Sequence, residues 1–164
     1  MTNTFKKEVQ NYDLIDHSFQ KNVIFTIGGS ASGKSTWAAD FLSNKECTII
    51  ERDRIRQFVF TNSFNKPFIW KEWNWSFEPQ INSIQQMLIG NAIKSSSINT
   101  IIISDTNVRA KSINDIIECC EQHNTEIKYY YKLFDVDINE VIERDSNRVH
   151  SVGKEVIEKQ FNML

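Results

Sequence analysis

The sequence predicts an α/β fold, a parallel sheet of four to five strands flanked by helices. Short runs rich in β-branched residues alternate with longer segments whose apolar residues recur at helical spacing. That alternation is typical of parallel strands joined by helical crossovers. The first apolar run leads into a loop at residues 28–36 that fits the phosphate-binding pattern G-x-x-x-x-G-K-[ST]. We therefore expect a phosphate loop directly after the first strand.

The apolar pattern places four strands and six helices along 164 residues. The predicted strands are residues 23–27, 47–50, 100–104 and 127–134. The predicted helices are residues 36–42, 54–60, 80–94, 110–124, 138–148 and 154–164. This length suits a single domain, and we expect it to cover residues 22–164, with an N-terminal extension over residues 1–21.

Charge and cysteine content narrow the class of protein. Lysine and arginine total 19 against 21 acidic residues, a net charge of -2. A broad basic surface for duplex nucleic acid is therefore not expected, although a local contact with a nucleic-acid end is compatible with this charge. The three cysteines are an odd number and two of them are adjacent, which favours a reducing cytoplasm over a disulfide framework. No apolar run approaches the ~20 residues of a membrane span, so no membrane partner is expected.

The phosphate loop supplies the first set of candidate ligands. Its glycines allow main-chain N–H groups to surround phosphate oxygens, and the following helix adds the positive end of its dipole. Lys34 is expected to reach the β- and γ-phosphates, and the Ser35 hydroxyl to ligate Mg²⁺. We therefore expect ATP and Mg²⁺ as cofactors, bound by Gly28, Gly29, Ser30, Ala31, Ser32, Gly33, Lys34, Ser35 and Thr36.

Two polar groups follow the second predicted strand. Asp53, interpreted as the N-cap of the next helix, is a candidate general base that would accept the proton of an attacking hydroxyl. Arg56 would then face the same pocket and hold a phosphate or carboxylate of the acceptor. The alternative is a capped helix with solvated arginines.

Asp105 and Thr106 follow the third predicted strand, at the same edge of the sheet. The carboxylate of Asp105 could act on Mg²⁺ through water, position an arginine, or simply close an Asx-type turn. The sequence leaves these roles open, and we count both residues with Arg56 as candidate substrate-binding residues.

Arg144 and Arg148 are spaced i, i+4 in the predicted helix 138–148, which would place both on one helical face. One could stack on adenine while the other neutralises charge on the transferring phosphoryl group. We assign the first role to Arg144 and the catalytic role to Arg148; a solvated, salt-bridged face is the alternative.

An aromatic segment at residues 68–77 contains three of the four tryptophans, Trp70, Trp73 and Trp75. Such rings stack on the bases of single-stranded nucleic acid, and they equally serve as core or as a lid. The sequence favours packing of most of these tryptophans in a lid or in the core, and it does not indicate which of them has which role.

From about residue 23 to the C-terminus, the ordered motifs resemble the 5′-kinase domain of the phage polynucleotide kinases, in the P-loop kinase superfamily. The matching segments are Thr26-Ile27-Gly28, Ser32-Gly33-Lys34-Ser35-Thr36-Trp37, Arg52-Asp53, Arg56-Gln57, Ile102-Ile103-Ser104-Asp105-Thr106-Asn107, Phe134-Asp135-Val136 and the pair Arg144 and Arg148. The resemblance implies a P-loop kinase-like fold and transfer of the γ-phosphoryl group of ATP to the 5′-hydroxyl of DNA or RNA.

The resemblance also implies roles for individual residues. Lys34 and Ser35 would hold the ATP phosphates and Mg²⁺, Asp53 would be the general base, and Arg148 would serve the transition state. Arg56 would hold the phosphate on the 3′ side of the acceptor nucleotide, with help from Thr106.

The acceptor is where the sequence departs most from this family. The tryptophan-rich segment does not match the family's more charged equivalent, and the same scaffold serves kinases of nucleosides, nucleotides and hydroxymethylated DNA bases. Such a kinase is the alternative function, and a non-catalytic ATP-gated binding module is a third. About 20 residues precede the match, and we expect no phosphatase domain after it.

A nucleic-acid repair enzyme of this kind would act on single-stranded 5′-OH ends, in the cytoplasm of the host cell if a phage encodes it. The sequence leaves open whether the chain forms a homo-oligomer and whether a separate phosphatase or ligase acts with it.

Overall fold

Four parallel strands form the central sheet. The computed structural model describes residue 8 and residues 21–42, 46–123 and 126–164. Within these residues the strands are β1 (Lys21–Ile27), β2 (Cys47–Ile50), β3 (Thr100–Ile103) and β4 (Ile127–Leu133). They lie in the order β2-β3-β1-β4, and every neighbouring pair is parallel. The predicted α/β class is confirmed, with four strands.

Six helices connect and flank these strands in the described part of the chain. They are α1 (Lys34–Leu42), α2 (Arg52–Phe64), α3 (Glu78–Lys94), α4 (Ala110–Glu121), α5 (Ile138–Ser146) and α6 (Lys154–Phe161). Between α2 and α3 lie two short 3₁₀ turns, Trp70–Glu72 and Trp75–Phe77. None of these helices is both long and apolar enough to cross a membrane.

The core lies on both faces of the sheet because side chains alternate along each strand. Val23 and Phe25 of β1 point to one face, where the buried residues of α3 and α4 pack against them. Ile24 points to the other face and packs with Ala38 and Phe41 of α1. This double burial explains why the central strands read as continuous apolar runs.

Helix α2 begins two residues earlier than predicted. It starts at Arg52, so Glu51 and not Asp53 occupies the N-cap position, and the interpretation of Asp53 as the cap is wrong. The reason is a contact that is distant in sequence: the carboxylate of Asp105 accepts the main-chain N–H of Arg52 at 2.8 Å. That bond satisfies one of the free donors of the first helical turn. Asp53 therefore projects from within that turn.

Helix α5 ends at Ser146, so Arg148 follows the helix and does not share a helical face with Arg144. Asp145 causes this early end. Its buried carboxylate accepts main-chain N–H groups of Val152 at 3.1 Å and Gly153 at 3.0 Å, which turns the chain toward α6. The predicted i, i+4 pairing of the two arginines is therefore wrong.

The N-terminal extension lies outside the described residues, except for Glu8 and Lys21. Glu8 forms an isolated bridge with Tyr131 of β4, and its carboxylate accepts the Leu133 N–H at 3.3 Å. Strand β1 begins at Lys21, one residue before the predicted start of the domain. The division into extension and domain stays a prediction.

Candidate active site

The carboxyl ends of β1, β2 and β3 meet at one edge of the sheet, and main-chain bonds fasten the loops that follow them. The Gly28 N–H donates to the Thr106 carbonyl at 3.0 Å, and the Ser104 N–H donates to the Ile50 carbonyl at 3.0 Å. The buried side chain of Asn107 donates to the Thr26 carbonyl at 2.8 Å. The phosphate loop therefore lies beside the segments that follow β2 and β3, where ligands bind in open parallel sheets.

The phosphate loop has the tight backbone that its sequence predicts. Gly33 has a φ of +97°, which an L side chain rarely adopts. A Cβ at Gly28 would lie 2.9 Å from the Cβ of Phe134, the residue after β4, so only glycine permits this close approach. Helix α1 starts at Lys34, which directs the positive end of its dipole toward the loop.

Lys34 is a buried cation inside the phosphate loop. Its Nζ donates to the Gly29 carbonyl at 2.5 Å and to Ser32 Oγ at 3.4 Å. Burial lowers the pKa of Lys34 to about 8, although the carboxylates of Asp53, Asp105 and Glu51 act to raise it. Arg148 acts in the same direction as burial. The charges of the predicted base, Asp53, and of the predicted catalytic arginine, Arg148, thus both act on the ammonium group of Lys34.

Ser35 contacts a carboxylate, that of Glu51, which was not among the predicted site residues. Its hydroxyl donates to Glu51 Oε1 at 2.9 Å, and Glu51 Oε2 pairs with Arg54 Nε at 3.0 Å. This arrangement leaves the lone pairs of the Ser35 oxygen available to a cation. The described residues contain no group of three or more His, Cys, Asp and Glu that could hold a metal ion. A Mg²⁺ held mainly by phosphate oxygens and one hydroxyl fits these residues.

The C-terminal helix also contacts the phosphate loop. The Ser30 N–H donates to Gln160 Oε1 at 2.7 Å. A Cβ at Gly29 would lie 2.6 Å from Phe161 Cε2, so α6 packs directly on the loop. Because Gln160 is 130 residues from Ser30 in the chain, no sequence pattern indicated this contact.

An open cleft of about 490 Å³ flanks the phosphate loop, lined by Ala31, Gly33, Thr36, Trp37, Asp40 and Arg144. Arg144 also pairs with Glu140 at 2.5 Å, one turn earlier in α5. The indole of Trp37 packs edge-on against Phe134, with ring centroids 6.0 Å apart. This cleft is where the structure places Arg144, the predicted adenine-side residue.

Two arginines and two carboxylates meet where α2 and α3 begin. We call this group the arginine–carboxylate cluster; it consists of Arg52, Asp53, Arg56 and Glu78. Arg56 donates to Asp53 Oδ1 at 2.6 Å and to both oxygens of Glu78 at 2.8 and 2.9 Å. Arg52 donates to Glu78 Oε2 at 2.7 Å. In the part of the chain that the structure describes, the Arg56 guanidinium contacts these carboxylates and not Thr106, whose help to Arg56 stays a prediction.

Glu78 is the centre of this cluster, although no local sequence pattern indicated it. Burial acts to raise the pKa of its carboxyl, but hydrogen bonds from Arg56 and Arg52, the positive charge of Arg56 and a bond from Trp73 Nε1 lower it to about 2. The carboxylate is therefore ionised at neutral pH, holds both guanidinium groups and keeps that of Arg56 beside Asp53.

Asp105 contacts the protein through both carboxylate oxygens. Oδ1 accepts the Arg52 N–H, and Oδ2 accepts Gln85 Nε2, each at 2.8 Å. Burial raises the pKa of Asp105 to about 6, against the effect of these two bonds. Of the roles left open for Asp105, these contacts fit the positioning of an arginine best. Asp105 holds the main chain of Arg52, and Gln85 contacts the Arg52 guanidinium at 3.2 Å.

Arg148 lies in the turn between α5 and α6 and is held by Asp145. The Arg148 N–H donates to the Asp145 carbonyl at 3.0 Å, and its guanidinium lies 3.7 Å from the carboxylate. Burial acts to raise the pKa of Asp145, but hydrogen bonds from Ser151, Gly153 and Val152 and the charge of Arg148 lower it. An ionised Asp145 therefore fixes the turn that presents Arg148.

A family model described as an AAA domain matches residues 23–164, nearly the whole sheet and its helices. The chain belongs to this AAA domain family. Solved structures similar to this AAA domain chain include kinases. A gluconokinase from Sinorhizobium meliloti 1021 matches with a TM-score of 0.52 at 15% identity, over 89% of this chain and 75% of that chain.

Chains from two structures of a Pnkp1/Rnl/Hen1 complex also match the AAA domain chain. In the structure described as the RNA repair complex, the TM-score is 0.69 at 24% identity, over 94% of this chain and 47% of that chain. In the second, the TM-score is 0.59 at 22% identity, over 81% and 42%. Our chain thus spans about half the length of those chains. These likenesses and the family match support the P-loop kinase superfamily, while membership of the phage family stays a prediction.

Proposed function

We propose that this P-loop kinase is a polynucleotide 5′-hydroxyl kinase, which transfers the γ-phosphoryl group of ATP to the 5′-OH end of DNA or RNA. The observation that carries the proposal is the setting of Lys34. Asp53 and Arg148 both act on its charge, and the neighbouring Ser35 bonds to Glu51, the N-cap of the helix whose first turn carries Asp53. A phosphate-binding lysine, a carboxylate and an arginine at one sheet edge are the parts that phosphoryl transfer to a hydroxyl requires.

On the donor side, Lys34 and the main-chain N–H groups of residues 28–36 bind the ATP phosphates, and Arg144 borders the cleft for the nucleoside. Mg²⁺ would neutralise charge on the phosphate oxygens. Ser35 is the protein group that would hold it, with Glu51 orienting the hydroxyl. Arg148 stabilises charge that develops on the transferring phosphoryl group.

On the acceptor side, Asp53 accepts the proton of the 5′-hydroxyl. The hydroxyl oxygen bonds to the γ-phosphorus as the bond between that phosphorus and ADP breaks. Arg56 keeps N–H groups beyond those bonded to Asp53 and Glu78, since a guanidinium carries five. These would hold the phosphate on the 3′ side of the acceptor nucleotide. Glu78 and Asp105 keep Arg56 and Arg52 in place for this contact.

The test replaces the proposed base. Asp53→Asn should lower the rate of label transfer from ATP to a 5′-OH oligonucleotide by about 100- to 10,000-fold, the range for a general base. ATP binding, measured by calorimetry, should remain. Asp115→Asn on α4 is the matched control, because Asp115 also pairs with a cation, Lys111 at 2.9 Å. Near-normal transfer by Asp53→Asn would rule out Asp53 as the base.

A kinase of a nucleoside, nucleotide or hydroxymethylated DNA base is the second candidate. The observation that favours it is that Arg56 is already paired with two carboxylates, Asp53 and Glu78, so an acceptor without a phosphate leaves no unpaired cation there. Rates with a nucleoside and with its 3′-phosphate discriminate the two. A polynucleotide kinase should strongly prefer the 3′-phosphate, and Arg56→Gln should remove that preference.

A further inference from the structure

The three tryptophans of the aromatic segment differ sharply in exposure. Trp73 is buried at 5% exposure and packs in the cluster formed by α2, Phe68 and Ile81. Trp70 is partly buried against the same cluster. Trp75 is 67% exposed. The segment therefore contains one core indole, one intermediate indole and one indole whose surface is largely open to solvent.

The segment is joined to the arginine–carboxylate cluster at two points. Trp73 Nε1 donates to Glu78 Oε1 at 3.0 Å. The guanidinium carbon of Arg56 lies 5.7 Å from the centroid of the Trp70 ring, within the range of a cation–π contact. The residue proposed to hold the acceptor phosphate thus also touches the aromatic segment.

Trp70 is fixed in place and Trp75 lies next to it. Phe68 packs edge-on against Trp70, with centroids 4.9 Å apart. The rings of Trp70 and Trp75 are 6.5 Å apart and nearly parallel, at 26°. The Asn74 side chain accepts the Ser76 N–H at 3.0 Å, which fixes the turn that carries Trp75. Trp75 is therefore an exposed ring on an ordered support, so little conformational entropy is lost when a second ring stacks on it.

The surroundings favour a nucleic-acid strand as the occupant. Lys71 is exposed within the segment, and the Arg56 guanidinium lies over the Trp70 ring, so both supply positive charge for a phosphate backbone. Aromatic rings beside basic side chains bind single strands through base stacking and phosphate contacts.

We propose that Trp75, supported by Trp70, is a stacking platform for a base of the single-stranded acceptor, near the nucleotide whose 5′-hydroxyl faces Asp53. This inference rests on the proposed polynucleotide kinase function. It explains why a tryptophan with two-thirds of its surface exposed lies on a hydrogen-bonded turn and stacks on Trp70, which contacts Arg56.

The test pairs a change in the protein with a change in the ligand. A fluorescent 5′-OH oligonucleotide carries a single abasic residue, placed in turn at each of the first four positions, and its affinity is measured by anisotropy. At one position, loss of the base should weaken binding to the wild type by roughly 5- to 150-fold. Trp75→Ala should bind the intact strand with a similar loss and should show no further loss at that position. Trp75→Phe, which keeps a ring, should retain the discrimination.

The outcomes separate this proposal from the proposed function. If the wild type phosphorylates oligonucleotides but is indifferent to abasic residues, or if Trp75→Ala keeps the full positional discrimination, the platform is wrong and the kinase proposal stands. If the wild type neither binds nor phosphorylates any oligonucleotide, both are wrong. Melting temperatures of both variants near that of the wild type exclude misfolding, as expected for an exposed side chain.

Discussion

Replacement of Glu78 by Gln should destabilise the protein and loosen both arginines of the arginine–carboxylate cluster. Each carboxylate oxygen accepts two donors: Oε1 from Arg56 Nε and Trp73 Nε1, and Oε2 from Arg52 and Arg56. Whichever position the amide nitrogen of Gln takes, it faces two N–H donors, and it cannot accept a hydrogen bond from either. The variant also removes the negative charge between two guanidinium groups.

The magnitude follows from the pKa of Glu78, which hydrogen bonds lower from 4.5 to about 2 against the effect of burial. A difference of this size corresponds to about 3 kcal/mol of stability at neutral pH. Because the pKa is lower in the folded state, this stabilisation is present above pH 4.5 and is lost as the pH falls toward 2. About half of it should remain at pH 3.

Urea unfolding at pH 7 and pH 3 measures this difference. Glu78→Gln should lower the free energy of unfolding by about 3 kcal/mol at pH 7 and by about half as much at pH 3. Glu118→Gln, at an exposed position of α4, should change it by less than ~0.5 kcal/mol. A loss for Glu78→Gln no larger than that of the control, or one that does not depend on pH, would refute the reasoning.

Two further predictions concern the sheet edge and the phosphate loop. Burial raises the pKa of Asp105 from 3.8 to about 6. The stability that protonated Asp105 confers is therefore complete below pH 3.8 and is lost as the pH rises through about 6. In urea unfolding, Asp105→Asn should lack this fall in the free energy of unfolding, and a pH dependence parallel to that of the wild type would contradict the prediction. Gln160→Glu should weaken ATP binding at least tenfold in calorimetry, because it places a carboxylate on the Ser30 N–H beside the phosphate site. Lys159→Gln makes the same change in net charge at an exposed neighbour and should have little effect; equal losses in the two variants would show that only net charge matters.

Local sequence predicted the parts of the fold that local interactions determine. Strand β2 has the predicted bounds, and β3 ends within one residue of them, because short β-branched runs between turns have few alternatives. The phosphate loop is a contiguous motif whose glycines specify its backbone. That the motifs after the strands lie close together then followed from the rule that parallel strands end at one edge of the sheet.

Contacts between distant parts of the chain account for what the sequence did not predict. The start of α2 depends on Asp105, which lies 53 residues from Arg52. Glu78 lies 22 residues from Arg56, and nothing in its local pattern marks it as the partner of two arginines. Glu51 is the exception, because an acidic residue at the end of β2, two before Asp53, was a visible signal.

The aromatic segment shows the same limit. Trp70, Trp73 and Trp75 lie in short 3₁₀ turns and connecting residues, where neither helical nor strand periodicity indicates which side chain is buried. The prediction that most of the tryptophans pack is consistent with Trp73 and Trp70, and the exposure of Trp75 became visible only in the structure.

The most direct measurement is label transfer from γ-labelled ATP to two oligonucleotides that differ only at the 5′ end, one with a 5′-hydroxyl and one with a 5′-deoxy terminus. The label should appear on the first oligonucleotide, be released by a 5′-phosphatase, and be absent from the second. Transfer to neither oligonucleotide, together with transfer to a free nucleoside or another small hydroxyl compound, would contradict the proposal that this chain is a kinase of polynucleotide ends.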